Sequence, residues 1–429
     1  DVKYILANTS IIDMLKKPIT PKTSQLLGSN DSEQLSVLRS DALDLSGKLQ
    51  MPSSQDERPW KYLDISQLDV EDYPIVVSDE NQKINISETG NSAGSIELTN
   101  GIVIHNESYQ KGVDLSTTGT SLLGQAVHPD TNRLTALHYA YLQDIAVIEI
   151  SADTKIDKPI RVEHRYTTKQ FATPHTVIIA GANSNIEIIE QFFSTNVPLI
   201  ATPIVEIFTG PGATVNYTTV NRWGSKTESF GAQQTITEEN SQIKSLSLAI
   251  SGKTVKQHIG TTLKGRGSAS ELFGAGYGTG MCKGVEHIDF YTLQDHVGED
   301  TFSDLLFKSA LGGTSKSVYY GITRIGENAR NSSANQQNRN LLLSPTAQAD
   351  SDPVLEILTN DVQRVSHGAT VGPVEDDQLF YLQSRGLTLA EATDLLIRGF
   401  FLEVLDRVPD EQLRQELEGL VESRDNTVK

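Results

Sequence analysis

The sequence predicts a mainly β protein: a solenoid core flanked by helical N-terminal and C-terminal regions. Three observations carry this. From about Ile84 to Gly372 short β-type runs recur, among them Ile145-Ala-Val-Ile-Glu-Ile, Thr176-Val-Ile-Ile-Ala and Val318-Tyr-Tyr-Gly-Ile. No amphipathic helix of about 10–15 residues interrupts them, which argues against a sheet built from βαβ units. Turn-rich segments begin at Gly181, Gly210, Glu238 and Gly265, and the apolar residues Ile186, Val215, Ile243 and Leu272 recur at 29, 28 and 29 residues. A period of that length suits stacked coils, each unable to bury its own apolar face without its neighbours. A β-sandwich with evenly spaced hairpins remains the structural alternative.

Taken in order, residues 1–83 read as a helical and irregular domain. Ile5–Lys17 and Asp31–Leu45 carry apolar residues at three-to-four spacing, and Pro52-Ser53-Ser54 and Pro74 punctuate the exit. Residues 84–372 form the β core. Residues 373–429 form a helical domain. There Thr388 and Glu391 make a capping box, hydroxyl and carboxylate each satisfying a free N–H at the helix start. Leu395, Leu396, Phe400, Val404 and Leu405 then line one face, and Pro409-Asp410 separates this helix from another through Leu413, Leu417 and Leu420.

Composition narrows the function classes. The chain has 429 residues, 37% of them hydrophobic, enough for a folded protein of two or three units. No apolar run approaches the ~18 residues needed to cross a bilayer. The chain opens on Asp1 rather than Met, so a leader or a few residues are expected to have been removed. Cys282 is the single cysteine, which forbids an intramolecular disulfide or an all-cysteine cluster site and points to a reducing interior, the cytoplasm or a plastid stroma. Thirty-six basic against 55 acidic residues leave a net charge of −19, so nucleic acid and anionic membranes are poor partners. Residues 350–429 hold 17 acids and 7 bases, a net of −10; solvation of a surface and attraction to a basic partner both account for it.

Catalytic motifs fail on inspection. Gly252-Lys253-Thr254 resembles the end of a phosphate loop, but Ser247 stands where the upstream glycine is required, and a strand turn is the better reading. Gly274-Ala-Gly-Tyr-Gly-Thr-Gly280 lacks a strand–helix context and reads as tight packing. Glu286, His287, Asp289, Asp295, His296, Glu299 and Asp300 are the most metal-like set, with a hydrogen-bonded polar ladder as the alternative. Cys282, without a His–Asn pair, reads as a packed side chain. His367 is the preferred site residue, with a satisfied interior histidine as the other reading: it sits in a buried-looking Ser366-His-Gly-Ala-Thr370 core whose small residues leave room for a partner, and an imidazole offers a neutral nitrogen to iron.

The stretch Gln337–Gly386 carries a resemblance. Asn-Leu-Leu-Leu-Ser from Asn340, Ala347-x-Ala349-Asp350-x-x-Pro353-x-Leu355-Glu356-Ile357, then Ser366-His-Gly-Ala-Thr-Val-Gly372, then Leu379-Phe-Tyr-Leu-x-Ser-Arg-Gly386 are similar in residues and order to the SufB/SufD family. Those proteins are scaffold subunits of an iron–sulfur cluster assembly complex. Arg58-Pro59-Trp60-Lys61-Tyr62 resembles the family's WKY element. The SHGAT version is similar to the SufD branch. The resemblance implies a right-handed parallel β-helix, a non-catalytic scaffold role, a SufB-like partner at the β-helix end, and a SufC-type ATPase docked on the C-terminal helices. Leu395, Phe400, Phe401 and Leu405 are the docking candidates, with core packing as the other reading. It also places His367 at the subunit junction and implies no cofactor held by this chain alone, only an iron–sulfur cluster transiently at the interface. The chain departs from the SufB branch at Gln337–Asn340, where amides and arginine replace an essential cysteine, and from many relatives at Arg364-Val365, where they carry a cysteine. Rival readings are a carbohydrate-active enzyme using Asp and His residues around 286–300, and a structural homodimer.

Overall fold

The computed structural model describes residues 16–17, 33–55, 58–76, 92–117, 119–278, 284–408, 410–411 and 413–415. The chain winds into a β-solenoid of about eight turns, with 49% of its residues in strands. Each coil contributes a strand to two stacked parallel sheets. The first face holds Gly94–Thr99, Ile160–Tyr166, Asn185–Ser194, Thr214–Arg222, the start of Gln242–Leu263, Ala269–Gly278, Phe302–Leu311, Ser332–Leu342 and Val362–Pro373. The second face holds Ala146–Ile150, His175–Ala180, Ile204–Thr209, Thr227–Thr237, the end of Gln242–Leu263, Val285–His296, Lys316–Ile325 and Gln348–Ile357. Antiparallel strands Ile102–Ser108 and Val113–Ser116 cover the N-terminal edges of the two faces. A sheet edge left open there would invite unplanned pairing.

The repeat read from the sequence is the coil itself. Ile186 lies opposite Val215, and Val215 opposite Ile243. The next step differs: Ile243 meets Ser270, and Leu272 meets Ser245. The offset is two residues, so Leu272 keeps its side of the sheet while the coil shortens. At one corner, seven successive coils carry the same backbone solution. Asp153, Asn183, Asn240, Asp300 and Asn331 have φ between 54° and 59°, and Gly212 and Gly267 fill the equivalent places at 68° and 70°. Asn, Asp and Gly are the residues that tolerate this left-handed region. Their N–H groups donate to the coil above, as Asn183 N does to Pro211 O (2.9 Å) and Asn240 N to Arg266 O (2.9 Å).

Helix α1 (Glu33–Ser46) and helix α2 (Arg133–Ala140) lie together against the second face, in a core shared with Trp60, Phe171, Ile200, Ile204 and Phe230. The eight-residue α2 sits inside the region the sequence reads as purely β. It is too short to show a helical period, and its cap is the Asn132 side chain, which accepts from Thr135 N (2.9 Å). Of the N-terminal helix expected at Ile5–Lys17, only Lys16–Lys17 is described, as a strand paired with Ile75–Val76; the rest lies outside the described residues. Beyond the last coil come α3 (Asp376–Ser384) and α4 (Leu389–Leu405). The expected capping box is present: Thr388 N donates to Glu391 Oε2 (2.7 Å) and Glu391 N to Thr388 Oγ1 (3.2 Å). The helix expected after Pro409 is described only at Asp410–Glu411 and 413–415, where Leu413 is buried; Leu417 and Leu420 lie outside the described residues.

Candidate functional site

Strand alternation sends every second residue into the solenoid. On the first face one inward column runs Ile160, Ile188, Tyr217, Ser245, Leu272, Leu305, Gln336 and His367, one residue per coil. All but the last are buried. Gln336 is fully enclosed, with Thr323 Oγ1 donating to its Oε1 (2.9 Å). His367 has the same orientation but no coil above it, and it is exposed. The expectation of a buried SHGAT core is therefore corrected. The local pattern is that of an interior strand, and the strand is open because the stack ends there.

Val362–Pro373 pairs with Ser332–Leu342, its one registered neighbour among the described residues, and Gln348–Ile357 likewise pairs with Lys316–Ile325. The rest of both inward rows is therefore uncovered. Val365, Ala369 and Val371 flank His367 on one side of the opening, and Pro353, Leu355 and Ile357 face it across the other. Val371 is 46% exposed and Ile357 43%. A Cβ placed on Gly368 or Gly372 would meet nothing within 4 Å. The opening is thus a shallow apolar rim around a single imidazole, bordered by two rows of strand-edge N–H and C=O groups. Sequence reasoning singled out His367 but not this rim, whose apolar residues look like any interior row. One coil below, Asn338 and Asn340 point inward and Gln337 and Arg339 outward. Asn338 Nδ2 donates to Phe307 O (3.3 Å) and Asn340 Nδ2 to Asn338 Oδ1 (2.6 Å), so that strand offers amides to the interior.

The docking candidates divide. Phe401 and Leu405 are buried with Ile397 and Val404 against Phe273, Leu306 and Ala310 of the first face, and Phe400 is half-buried on the same cluster. Leu395 is 48% exposed, and Leu402, Leu389, Phe380 and Tyr381 are further exposed apolar residues on α3 and α4. Beneath α4, the buried Lys308 ammonium donates to Phe400 O (2.8 Å) and pairs with Glu403 (2.7 Å), holding the Glu403 carboxyl below the usual range.

The residues of 286–300 do not converge. His287 and Asp289 share the outward side of Val285–His296, as strand alternation requires, while His296 points inward. Its Nδ1 meets Thr301 Oγ1 (2.8 Å) and its Nε2 Ser303 Oγ (2.9 Å), and burial pushes its pKa down to about 4. Asp289 Oδ2 accepts from the buried Lys256 (2.7 Å). Asp300 pairs instead with Arg266 at an exposed turn. Among the described residues no three His, Cys, Asp or Glu side chains group to hold a metal ion. Gly252-Lys253-Thr254 lies inside the long strand Gln242–Leu263 and builds no phosphate nest. Gly274 and Gly276 are packing glycines, since a Cβ would stand 2.2 Å from the Phe307 ring and 2.8 Å from Ile288. Cys282 lies outside the described residues.

Comparison with known proteins points to one family. Residues 164–400, more than half of the chain, match the family model described as SUF system FeS cluster assembly, SufBD core domain. The chain is 28% identical to the iron–sulfur cluster assembly protein SufD of Bacillus subtilis over 70% of its length and 68% of that protein's. It is 24% identical to SufB of the same organism over 84% of this chain and 78% of that one. It is 27% identical to a SufBD family protein of Mycobacterium leprae over 76% and 83%.

Proposed function

Because the chain belongs to the SufBD family of iron–sulfur cluster assembly proteins, we propose that it is a non-catalytic scaffold subunit that pairs with a SufB-like subunit through the open coil of its solenoid. The observation that carries this reading is the terminal inward row: an imidazole among apolar and small residues, at an end that lacks the cover every earlier coil has. A second solenoid laid on that end supplies the missing strand neighbours and encloses His367. The iron–sulfur cluster is cargo in this scheme. His367 contributes a nitrogen to it, and the thiolates come from the partner, since Asn338 and Asn340 stand where this chain would have to supply one.

A SufC-type ATPase docks on the exposed face of α3 and α4, through Leu395, Leu402 and Phe380. Phe401 and Leu405 serve that contact from beneath, by fixing α4 to the first face. The reading places the protein in a reducing cytoplasm. Among the described residues no helix is long and apolar enough to cross a membrane. Around residues 286–300, Asp289 pairs with Lys256 and His296 is enclosed by hydroxyls on the opposite side of the strand, so these two do not join in one carbohydrate-active site.

The test mixes the full chain with a SufB-like subunit and an ATPase and follows both assembly and cluster formation by absorbance. His367→Ala should leave the complex intact and lower cluster yield at least about tenfold. Normal yield in an intact complex sinks the ligand role. No complex, with the chain instead forming a dimer of itself, replaces the scaffold reading by the homodimer.

A further inference from the structure

The Arg58–Tyr62 motif takes no part in the chemistry above, yet it lies lengthwise across the coils of the second face. Trp60 packs on Phe230 (ring centroids 6.2 Å) and His258 (5.5 Å) of the middle coils. Beside it the Lys256 ammonium donates to Pro59 O (2.5 Å) and Asp289 (2.7 Å) and lies 4.8 Å from the Trp60 ring centroid. Arg58 Nη1 reaches Tyr320 OH (3.3 Å), one coil short of the end. Tyr62 OH donates to Asp352 Oδ2 (2.9 Å) on the terminal strand Gln348–Ile357, where Lys61 Nζ also approaches (3.4 Å). Tyr320 and Asp352 are register partners, so adjacent residues of one column are tied to a single short segment.

The two ends of this segment differ. Trp60 is 7% exposed and the Lys256 side chain 1%, and detaching the segment would take from the buried ammonium its Pro59 O acceptor and ring contact, leaving it Asp289 alone. The Lys61 and Asp352 side chains are 56% and 41% exposed and meet in solvent. In a solenoid the last coil has one neighbour instead of two, so a tie from outside the stack weighs most there.

We propose that Arg58–Tyr62 is a strap with a fixed end at Trp60–Lys256 and a releasable latch at Tyr62–Asp352, and that opening the latch loosens the terminal coil that presents His367. Its functional weight rests on the reading of that coil as the partner site; the latch itself is a property of this chain. The N-terminal region thereby sets how ordered the rim is before a partner arrives.

Hydrogen–deuterium exchange on the full chain tests this. Tyr62→Phe removes one hydroxyl, and Asp352→Asn removes the shared carboxylate. Each should speed exchange in 348–357 and 362–373 about three- to tenfold, as expected for losing one hydrogen bond in a locally opening unit. Exchange in 227–237 and 252–263 should stay at the wild-type rate. Unchanged exchange in 348–373 for both variants overturns the latch, and faster exchange in 227–263 overturns the fixed end. Adding a SufB-like subunit to the wild-type chain should protect 362–373. If it does not, the partner reading fails while the exchange result on the isolated chain still decides the latch.

Discussion

His296 and His367 both point into the solenoid, and their difference shows what a position in the stack does to one residue type. His296 is enclosed, satisfied by Thr301 and Ser303, and its pKa falls to about 4 because burial penalises the imidazolium. Burial likewise lowers the pKa of His138, His258 and His287. A base held neutral in the folded state binds fewer protons than the unfolded chain, so stability is lost as pH falls from 6.5 toward 4. The slope is up to about 1.4 kcal/mol per pH unit for each such histidine. Urea midpoints across that window should fall with pH, and His296→Gln should flatten the dependence by roughly one histidine's share; an unchanged slope would show that His296 titrates normally. The buried Lys256–Asp289 pair makes a second residue-scale case. Desolvation lowers the lysine's pKa despite the neighbouring carboxylate. Asp289→Asn should cost about 3–5 kcal/mol by leaving that cation uncompensated, whereas Lys256→Met with Asp289→Leu should recover most of it. A denaturant double-mutant cycle measures both, and additive effects would show that the two groups do not interact.

At the scale of elements, the legible features were those with a local chemical cause. The Thr388/Glu391 capping box could be read off the sequence because both partners lie within one helical turn. The coil period could be read because successive coils turn through a left-handed corner that only a few residue types accept. That corner gives its own prediction. Asn240, at φ 54°, should accept Gly with little change, while Asn240→Val should cost about 1–3 kcal/mol, as a β-branched residue is forced into the left-handed region. Equal melting temperatures for the two variants would show that the corner is relaxed. What stayed hidden depended on distant residues. The eight-residue α2 owes its existence to the surface it covers, the Leu272 slip is a matter of one shortened coil, and the burial of Phe401 against the exposure of Leu395 follows from which side of α4 meets the first face. The site was half legible in the same sense. His367 stood out by its neighbours, but nothing in Ser366–Thr370 says that the stack ends there, so an interior strand and an open one read alike.

For the molecule as a whole, the stack makes stability and association separable. Each coil is held by its neighbours, so a substitution on the uncovered terminal row removes little that the isolated chain has already gained. Val371 is the sharpest case: register partner of Asn340, on the row of His367, and 46% exposed. A charge there acts as edge strands commonly do when they avoid pairing, by making the cover of a second sheet costly. Val371→Arg should therefore shift the melting temperature of the isolated chain by no more than about 2 °C. It should also weaken association with a SufB-like subunit about tenfold or more, read by sedimentation velocity at a fixed salt concentration. Phe401→Ala should do the opposite. It removes a ring from the core between α4 and the first face, costing about 3–5 kcal/mol, while the open coil and its pairing are left in place. If Val371→Arg associates normally, the open coil is not the junction, and the partner must be sought on another surface.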